Sequence, residues 1–344
     1  MIDTIKIITH IDEETYLTIK SKSIIKTSFN IDKQEIYYEI VNDSLKGSFD
    51  SSLSVRVDDG DKYRFKGYVL EVEGSYHKIV KGHNAYDGFY NIQSIVLGLI
   101  KFTENGYNIK LPKLKHWFLQ RIDITKNYDL QNQISVTGYI NNFRLLNYPR
   151  RNLKFYENEC VYITGQTTTL KIYNKLLEFI KNDRKKLKNF NNFDCVNFEN
   201  KIFGYIRFEL EIKKKKLRSI FNDKKFIRVD SLKYEEFEKI WCEEFMKILK
   251  FDNTNLKKVR EKNEVRERLY SMYKSTKASV LYSFYLNILV DGYKTILANT
   301  PESTFYRKIK ELKNAGIDFS QTAVLVYEYN ELLDFNPFLS KEVV

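Results

Sequence analysis

The chain is short of the residues that break or staple a backbone: 344 residues carry only 13 Gly, 4 Pro and 3 Cys. Cys160, Cys195 and Cys242 stand far apart with no CxxC pair. That excludes a disulfide framework and a thiolate zinc site, and it fits a reducing cytoplasm. The 4 histidines, His10, His77, His83 and His116, include no His-hydrophobe-His pair. No GxxxxGK[ST] loop is present, so nothing here cradles nucleotide phosphates in the P-loop manner. No apolar run reaches the 18 or so residues that a membrane span needs, and the opening "MIDTIKIITHIDEETYL" is acidic early, unlike a signal peptide. The expectation is a soluble, cytoplasmic protein with no membrane partner.

What the chain has in excess is positive charge and aromatic rings. Lys and Arg number 57 against 45 Asp and Glu, a net charge of +12. This balance suits a polyanion, because lysines and arginines release the counterions condensed on phosphates. Abundant Lys, Asn and Ile with little Gly and Pro is also what AT-rich coding produces. The 25 Tyr and 24 Phe favour strands and offer faces on which bases stack.

The first two thirds read as sheet. "SLSVRVDDGDKYRF" alternates Leu53, Val55 and Val57, breaks at "DDGD" and resumes in "YRFKGYVLEVEG", as a hairpin does. "NIQSIVLGLIKF" (91–102) has helical spacing, "HWFLQRIDITKNYDL" returns to strand, "ECVYITGQTTTLKIYNK" predicts a second hairpin, and "GYIRFELEIKKKKL" a further strand. From about residue 230 the pattern turns helical, with Ser231 as the expected cap of "SLKYEEFEKIWCEEFMKILK". In "TPESTFYRKIKELKNAGID", Thr300 is the expected cap, Pro301 the first helical residue and Gly316 the residue past the end. The fold class expected is α+β: an antiparallel-rich sheet with packed helices over 1–225, and a helical C-terminal region over 226–344.

Residues two apart share a strand face. In "RIDIT", Arg121, Asp123 and Thr125 oppose Ile122 and Ile124; in "TLKIYNK", Thr169, Lys171, Tyr173 and Lys175 oppose Leu170 and Ile172; in "YIRFELEI", Arg207, Glu209 and Glu211 oppose Phe208 and Leu210. If the three strands share a sheet, a solvated face carries Asp123, Glu209, Tyr173, Lys175 and Arg207. Paired carboxylates suit a hard cation such as Mg²⁺ or Mn²⁺. A tyrosine hydroxyl can attack phosphorus, and a nearby lysine can lower its pKa or stabilise the transition state. Charged wet faces are also ordinary in half-buried sheets, where they form cross-strand ion pairs.

Several fragments, in order, resemble the gene II replication initiators of filamentous bacteriophages and related phage and plasmid rolling-circle initiators. They are "MID" (1–3), "KGHN" (81–84), "RID" (121–123), "TLKIYNKLLE", "RFELEIK" (207–213) and "TFYRKIKELKNAGIDFSQ". The resemblance implies a rolling-circle nuclease-like domain that nicks one strand at an origin. Tyr173 falls on the nucleophile, Asp123 and Glu209 on metal ligands, and Lys175 on a phosphate-contacting or tyrosine-activating base. Glu178 becomes a supporting carboxylate and His83 a further metal ligand. The implied product is a 5′-phosphotyrosine with a free 3′-OH that primes a host polymerase, a host helicase unwinds, and a later transesterification rejoins the displaced strand.

Phosphate contacts are expected from Arg121 and Arg207 at the site, from Arg150 and Arg151 in "YPRRNLK", and from Lys213 and Lys214 in "KKKKLR". "DRKKLK" (183–188) reads as a solvated charge run. Arg307, Lys308 and Lys310 lie off the apolar face of the last helix, which can enter a major groove. The competing reading is an origin-binding initiator or repressor without chemistry, which keeps the basic patches and needs neither Tyr173 nor metal.

Overall fold

The computed structural model describes residues 1–30, 35–47, 49, 51–59, 67–141, 143, 148, 150–190, 193–222, 226–249, 262–317, 335 and 337–343. Part of the turn expected at "DDGD", residues 223–225 of the basic stretch before 228, and the end of "GIDFSQ" lie outside them.

Ten strands follow one another in the chain: β1 (Ile2–Ile11), β2 (Ile24–Asn30), β3 (Glu35–Lys46), β4 (Ser52–Asp58), β5 (Tyr68–Gly74), β6 (Phe118–Asp129), β7 (Asn152–Tyr156), β8 (Cys160–Thr164), β9 (Thr168–Asn174) and β10 (Tyr205–Lys213). They form one sheet in the order β2-β3-β4-β5-β1-β6-β10-β9-β8-β7. All neighbouring pairs are antiparallel. With the helices packed on it, this is the α+β class expected from the sequence, and both expected hairpins pair.

The centre of the sheet differs from what the sequence suggests. The segment 2–11, whose only sequence signal is the "MID" fragment, is β1, and it lies between β5 and β6. Its register against β6 shifts between Ile2 and Ile5, where β1 carries an additional residue. Such an irregularity re-aims side chains, and Asp3 lies within it.

One face is apolar and forms the main core. Ile5, Ile7, Ile122, Ile124, Phe208 and Leu210 meet the helices Ile92–Tyr107, Gln133–Asn141 and Tyr234–Met246 through residues such as Leu99, Val136 and Trp241. Residues 226–249, grouped by sequence with the C-terminal region, therefore pack in the core of the sheet. A second core, built on Val265, Leu281, Phe284, Phe305 and Leu312, belongs to the helices Lys262–Met272, Ser275–Asp291, Tyr293–Ala298 and Glu302–Asn314. The tail then returns to the sheet: Tyr128 Oη donates to the Pro337 carbonyl at 2.7 Å, and the Val343 amide to the Asn127 carbonyl at 2.8 Å.

Two helix starts move. Ser231 lies in the 3₁₀ turn Val229–Ser231, and the helix begins at Tyr234 after Lys233, whose amide donates to Glu236 Oε2 at 3.0 Å. The side chain three residues into the helix supplies the cap that Ser231 was expected to give. The last helix starts at Glu302, one residue after Pro301, and Gly316 takes φ +80° beyond its end. "EIKKKKL" is not strand throughout, because Lys214 opens the helix Lys214–Ile220.

Candidate functional site

The polar face of β6, β9 and β10 is a buried layer, not the solvated face that alternation suggests. Arg207 is 0% exposed, Asp123 and Lys175 1%, Glu209 5% and Tyr173 8%. The alternation itself is as read: Arg207 pairs with Tyr173 and Asn127 in register, Glu209 with Lys171 and Thr125, and Glu211 with Asp123 and Thr169. A period of two shows which residues share a face and cannot show that something covers it. The cover comes from the segment around Asn84 and Ala85 and from the helix Lys175–Asn182, joined by Phe198 and Ile202 in a small core of their own.

Tyr173 Oη donates to Glu209 Oε2 at 2.8 Å, and Lys171 Nζ donates to Glu209 Oε1 at 2.6 Å. Arg207 Nη1 reaches the same phenol oxygen at 3.5 Å. Burial, and then the Glu209 charge, hold the Tyr173 pKa well above that of an ordinary phenol. Asp123 takes two hydrogen bonds from Arg121, which also donates to Glu73 at 2.8 Å. Burial pushes the Asp123 carboxyl up to about 7, Arg121 opposes this, and Glu209 adds to it.

Lys175 lies elsewhere than the strand pattern puts it. Asn174 ends β9 and caps the next helix, accepting from the amides of Leu176 and Leu177, so Lys175 is the first helical residue. Its ammonium donates to Asn84 Oδ1 at 2.7 Å and pairs with Glu178. The cation beside the Tyr173 oxygen is Arg207. Burial lowers the Lys175 pKa to about 8, with Arg207 and Lys78 lowering it further against the pull of Glu178.

Asp3, Asn84 and Asn127 complete the layer. Asn84 Nδ2 donates to Asp3 Oδ1 at 2.7 Å, the Asn84 carbonyl accepts from Arg207 Nη2, and Asn127 Oδ1 accepts from Arg207 Nε at 2.7 Å. Against the effect of its burial, Arg207 and Lys78 hold Asp3 down at about 2. Asp3 and Asn84 stand in the "MID" and "KGHN" fragments, Lys171 on the polar side of its strand, and Asn127 in alternation with Asp123 and Thr125. Each therefore carried a sequence signal that did not by itself name its role.

His83 is not brought to Asp123 and Glu209. Its ring lies among His77, Tyr86 and Phe198, with centroids 5.4, 4.5 and 4.9 Å away, and burial lowers its pKa to about 3. Among the described residues no three His, Cys, Asp or Glu side chains gather as a metal-binding group. The two carboxylates nonetheless suit a hard cation in donor type, since Mg²⁺ is commonly held by one or two carboxylates with water and substrate phosphate completing its shell.

The basic residues divide by their partners. Arg151 pairs with the buried Glu244 at 2.9 Å and donates to Thr168, so it holds the fold, whereas Arg150 is exposed at φ +61°. Lys213 donates to the Gly165 carbonyl at 2.9 Å, and Lys214 is half-buried. Arg307 and Lys310 are exposed on the last helix, while Lys308 lies over the Phe284 ring at 4.8 Å.

Residues 1–231, which include every residue of the buried layer, match the family described as the N-terminal region of the gene II replication-associated protein. The chain belongs to this family. It is the replication-initiator family of filamentous phages that the scattered motifs resemble. No curated protein and no solved structure matches the chain. In this member of the gene II family the fragments around residues 3, 84, 123, 173 and 207–209 converge on one layer. No helix among the described residues is long and apolar enough to cross a membrane.

Proposed function

We propose that this gene II-family protein initiates rolling-circle replication by nicking one strand of origin DNA through Tyr173. The observation that carries the reading is the hydrogen bond from Tyr173 Oη to Glu209, with Arg207 beside the same oxygen. In this reading Oη attacks the scissile phosphorus, an O–P bond forms, and the P–O3′ bond breaks. The phenol proton passes to Glu209, and the departing 3′ oxygen takes a proton from water to become the primer hydroxyl. The 5′ end remains on Tyr173 until a second transesterification rejoins the displaced strand.

Phenol ionisation is costly in this layer, so the proton must leave as the O–P bond forms. Glu209 is positioned to accept it, and the fixed guanidinium of Arg207 faces the charge that develops. Arg207 is fixed by Asn84 and Asn127, and Asn84 by Lys175, which makes Lys175 a positioning residue. Asp123 and Glu209 would hold Mg²⁺ or Mn²⁺. When bound, the cation supplies charge neutralisation at the phosphate oxygens. Origin DNA, a host helicase and a host polymerase are the partners this activity requires, in the cytoplasm of a bacterial host.

A binding protein without chemistry is the second reading. It draws on the 8% exposure of Tyr173 and on the ion pairs that already occupy both carboxylates. The test is relaxation of a supercoiled replicon that carries the element's own origin, with and without Mn²⁺. Metal-dependent open circles that disappear in Glu209→Gln and Asp123→Asn support nicking. Tight origin binding without relaxation, with or without Mn²⁺, supports the second reading.

A further inference from the structure

A cleft of about 190 Å³ opens directly onto Tyr173. One wall is the end of the β8 strand, with Glu159 just before it and Tyr162 within it; the other is the helix Lys175–Asn182, through Glu178, Lys181 and Asn182. Tyr162 pairs in register with Lys171, so its ring stands on the same side of the sheet as Tyr173, one strand further out. It is half-buried, and its outer neighbour Tyr156 meets it edge-on at 6.1 Å.

The charge in the cleft decides what fits. Both of its carboxylates are matched: Lys181 pairs with Glu159 at 3.2 Å, and Lys175 with Glu178. The cleft therefore carries no net positive charge to hold a phosphate. The cations that face the phenol oxygen and its partner Glu209, Arg207 and Lys171, lie on the sheet. A strand whose phosphate meets Tyr173 would therefore put a neighbouring base, not a second phosphate, into the cleft. A tyrosine face stacks on any base, but carboxylate oxygens accept only from bases with amino or imino donors at the exposed edge. Cytosine offers the two protons of N4–H₂, adenine those of N6–H₂ and guanine those of N2–H₂ beside N1–H, whereas an unpaired thymine offers a single N3–H flanked by two carbonyls that the carboxylates disfavour.

We infer that this cleft is a nucleobase subsite that takes one unstacked, amino-bearing base of the strand being cut, next to the scissile phosphate. The inference rests on the reading of Tyr173 as the residue that meets that phosphate. Tyr162 supplies the stacking face, Glu159 and Glu178 the acceptors, and Asn182, whose Nδ2 lies 3.5 Å from Glu178, a further polar edge. The base must be unpaired to enter, so the subsite selects single-stranded or locally melted DNA.

The test is equilibrium binding of fluorescently labelled dC10 and dT10 to the full chain at pH 8, without metal and at one fixed salt concentration. The full chain should bind dC10 about fivefold or more tighter than dT10. Tyr162→Ala should weaken dC10 by about fivefold or more, the order expected for one stacked base. Tyr162→Phe should stay within about twofold of wild type, and Glu159→Gln should narrow the dC10-to-dT10 ratio. Equal binding of the two oligonucleotides, or no loss in a folded Tyr162→Ala, overturns the subsite. Tyr173→Phe should keep the preference, since binding needs no phenol oxygen. A preference that persists in a protein forming no covalent adduct on its origin overturns nicking and keeps the cleft as a base-binding site outside any cleavage reaction. An adduct without base preference does the reverse.

Discussion

Tyr173 and Glu209 meet diagonally across two neighbouring antiparallel strands, phenol to carboxylate at 2.8 Å, while Lys171 holds the second carboxylate oxygen at 2.6 Å. Glu209 is thus shared between a potential nucleophile and a cation. Glu209→Gln keeps the shape and removes both the proton acceptor and the charge that Lys171 pairs with. Relaxation of a supercoiled origin plasmid should slow by roughly 10²–10⁴, the usual contribution of a positioned base. A variant that melts like wild type and relaxes at the wild-type rate would remove Glu209 from the chemistry.

Arg207 is the structural centre of the layer, fully buried and bonded to Asn84 and Asn127. Arg207→Met leaves Asp3 buried without its main counter-charge, and breaking a buried pair in this way costs about 3–5 kcal/mol. Urea unfolding should show a loss of that order. Arg228→Met, which breaks an exposed, solvent-screened pair with Asp230, should cost far less. Similar small losses in both variants would contradict the account of the buried layer.

Asp123 gives a pH signature. Its carboxyl is raised in the fold from 3.8 to about 7. A raised carboxyl favours folding in its protonated form, so this contribution is whole below about pH 4 and is lost as pH rises through 7. Relative to wild type, Asp123→Asn should therefore gain stability between pH 4 and 7 in metal-free buffer. Above pH 7, Mn²⁺ at about 100 times its dissociation constant should stabilise wild type by about 2.7 kcal/mol and leave Asp123→Asn unmoved. Thermal melts across pH, with and without Mn²⁺, check both parts.

The sequence goes far toward this site and stops at a definite place. Alternation in three strands put Asp123, Tyr173, Arg207 and Glu209 on one face, and the pairing of β6, β10 and β9 brings them together. Alternation has no term for a third layer, so the burial of that face is a finding of the structure. Strand alternation misplaces Lys175 because Asn174, two residues after Ile172, stops the strand by capping a helix, and the side-chain period changes there. β1 escapes the pattern because its polar residues break it and its partners are distant: Ile11 pairs with Tyr68 and Ile5 with Gly74 in β5, and Ile8 with Phe118 and Ile2 with Ile124 in β6. His83 and its neighbour Asn84 share one fragment, yet only Asn84 reaches the layer, since adjacent side chains leave a backbone in different directions.

The basic residues can be separated by salt. Arg307 and Lys310 are exposed, so a double alanine variant should weaken DNA binding evenly across sequences and lower the salt slope by roughly 2. Arg151→Ala should instead lower stability, because it leaves the buried Glu244 short of a partner. Anisotropy titrations at several salt concentrations, paired with melts, distinguish the two roles. A salt slope unchanged by the double variant would take the last helix out of the DNA interface.

The central claim is that Tyr173 becomes covalently joined to DNA. The most direct measurement is mass spectrometry of peptides from an SDS-stable protein–DNA species, formed with Mn²⁺ on a supercoiled plasmid that carries the element's origin. The account predicts a nucleotide attached to the peptide containing Tyr173, and no adduct from Tyr173→Phe. An adduct on any other residue, or one that survives Tyr173→Phe, would contradict it.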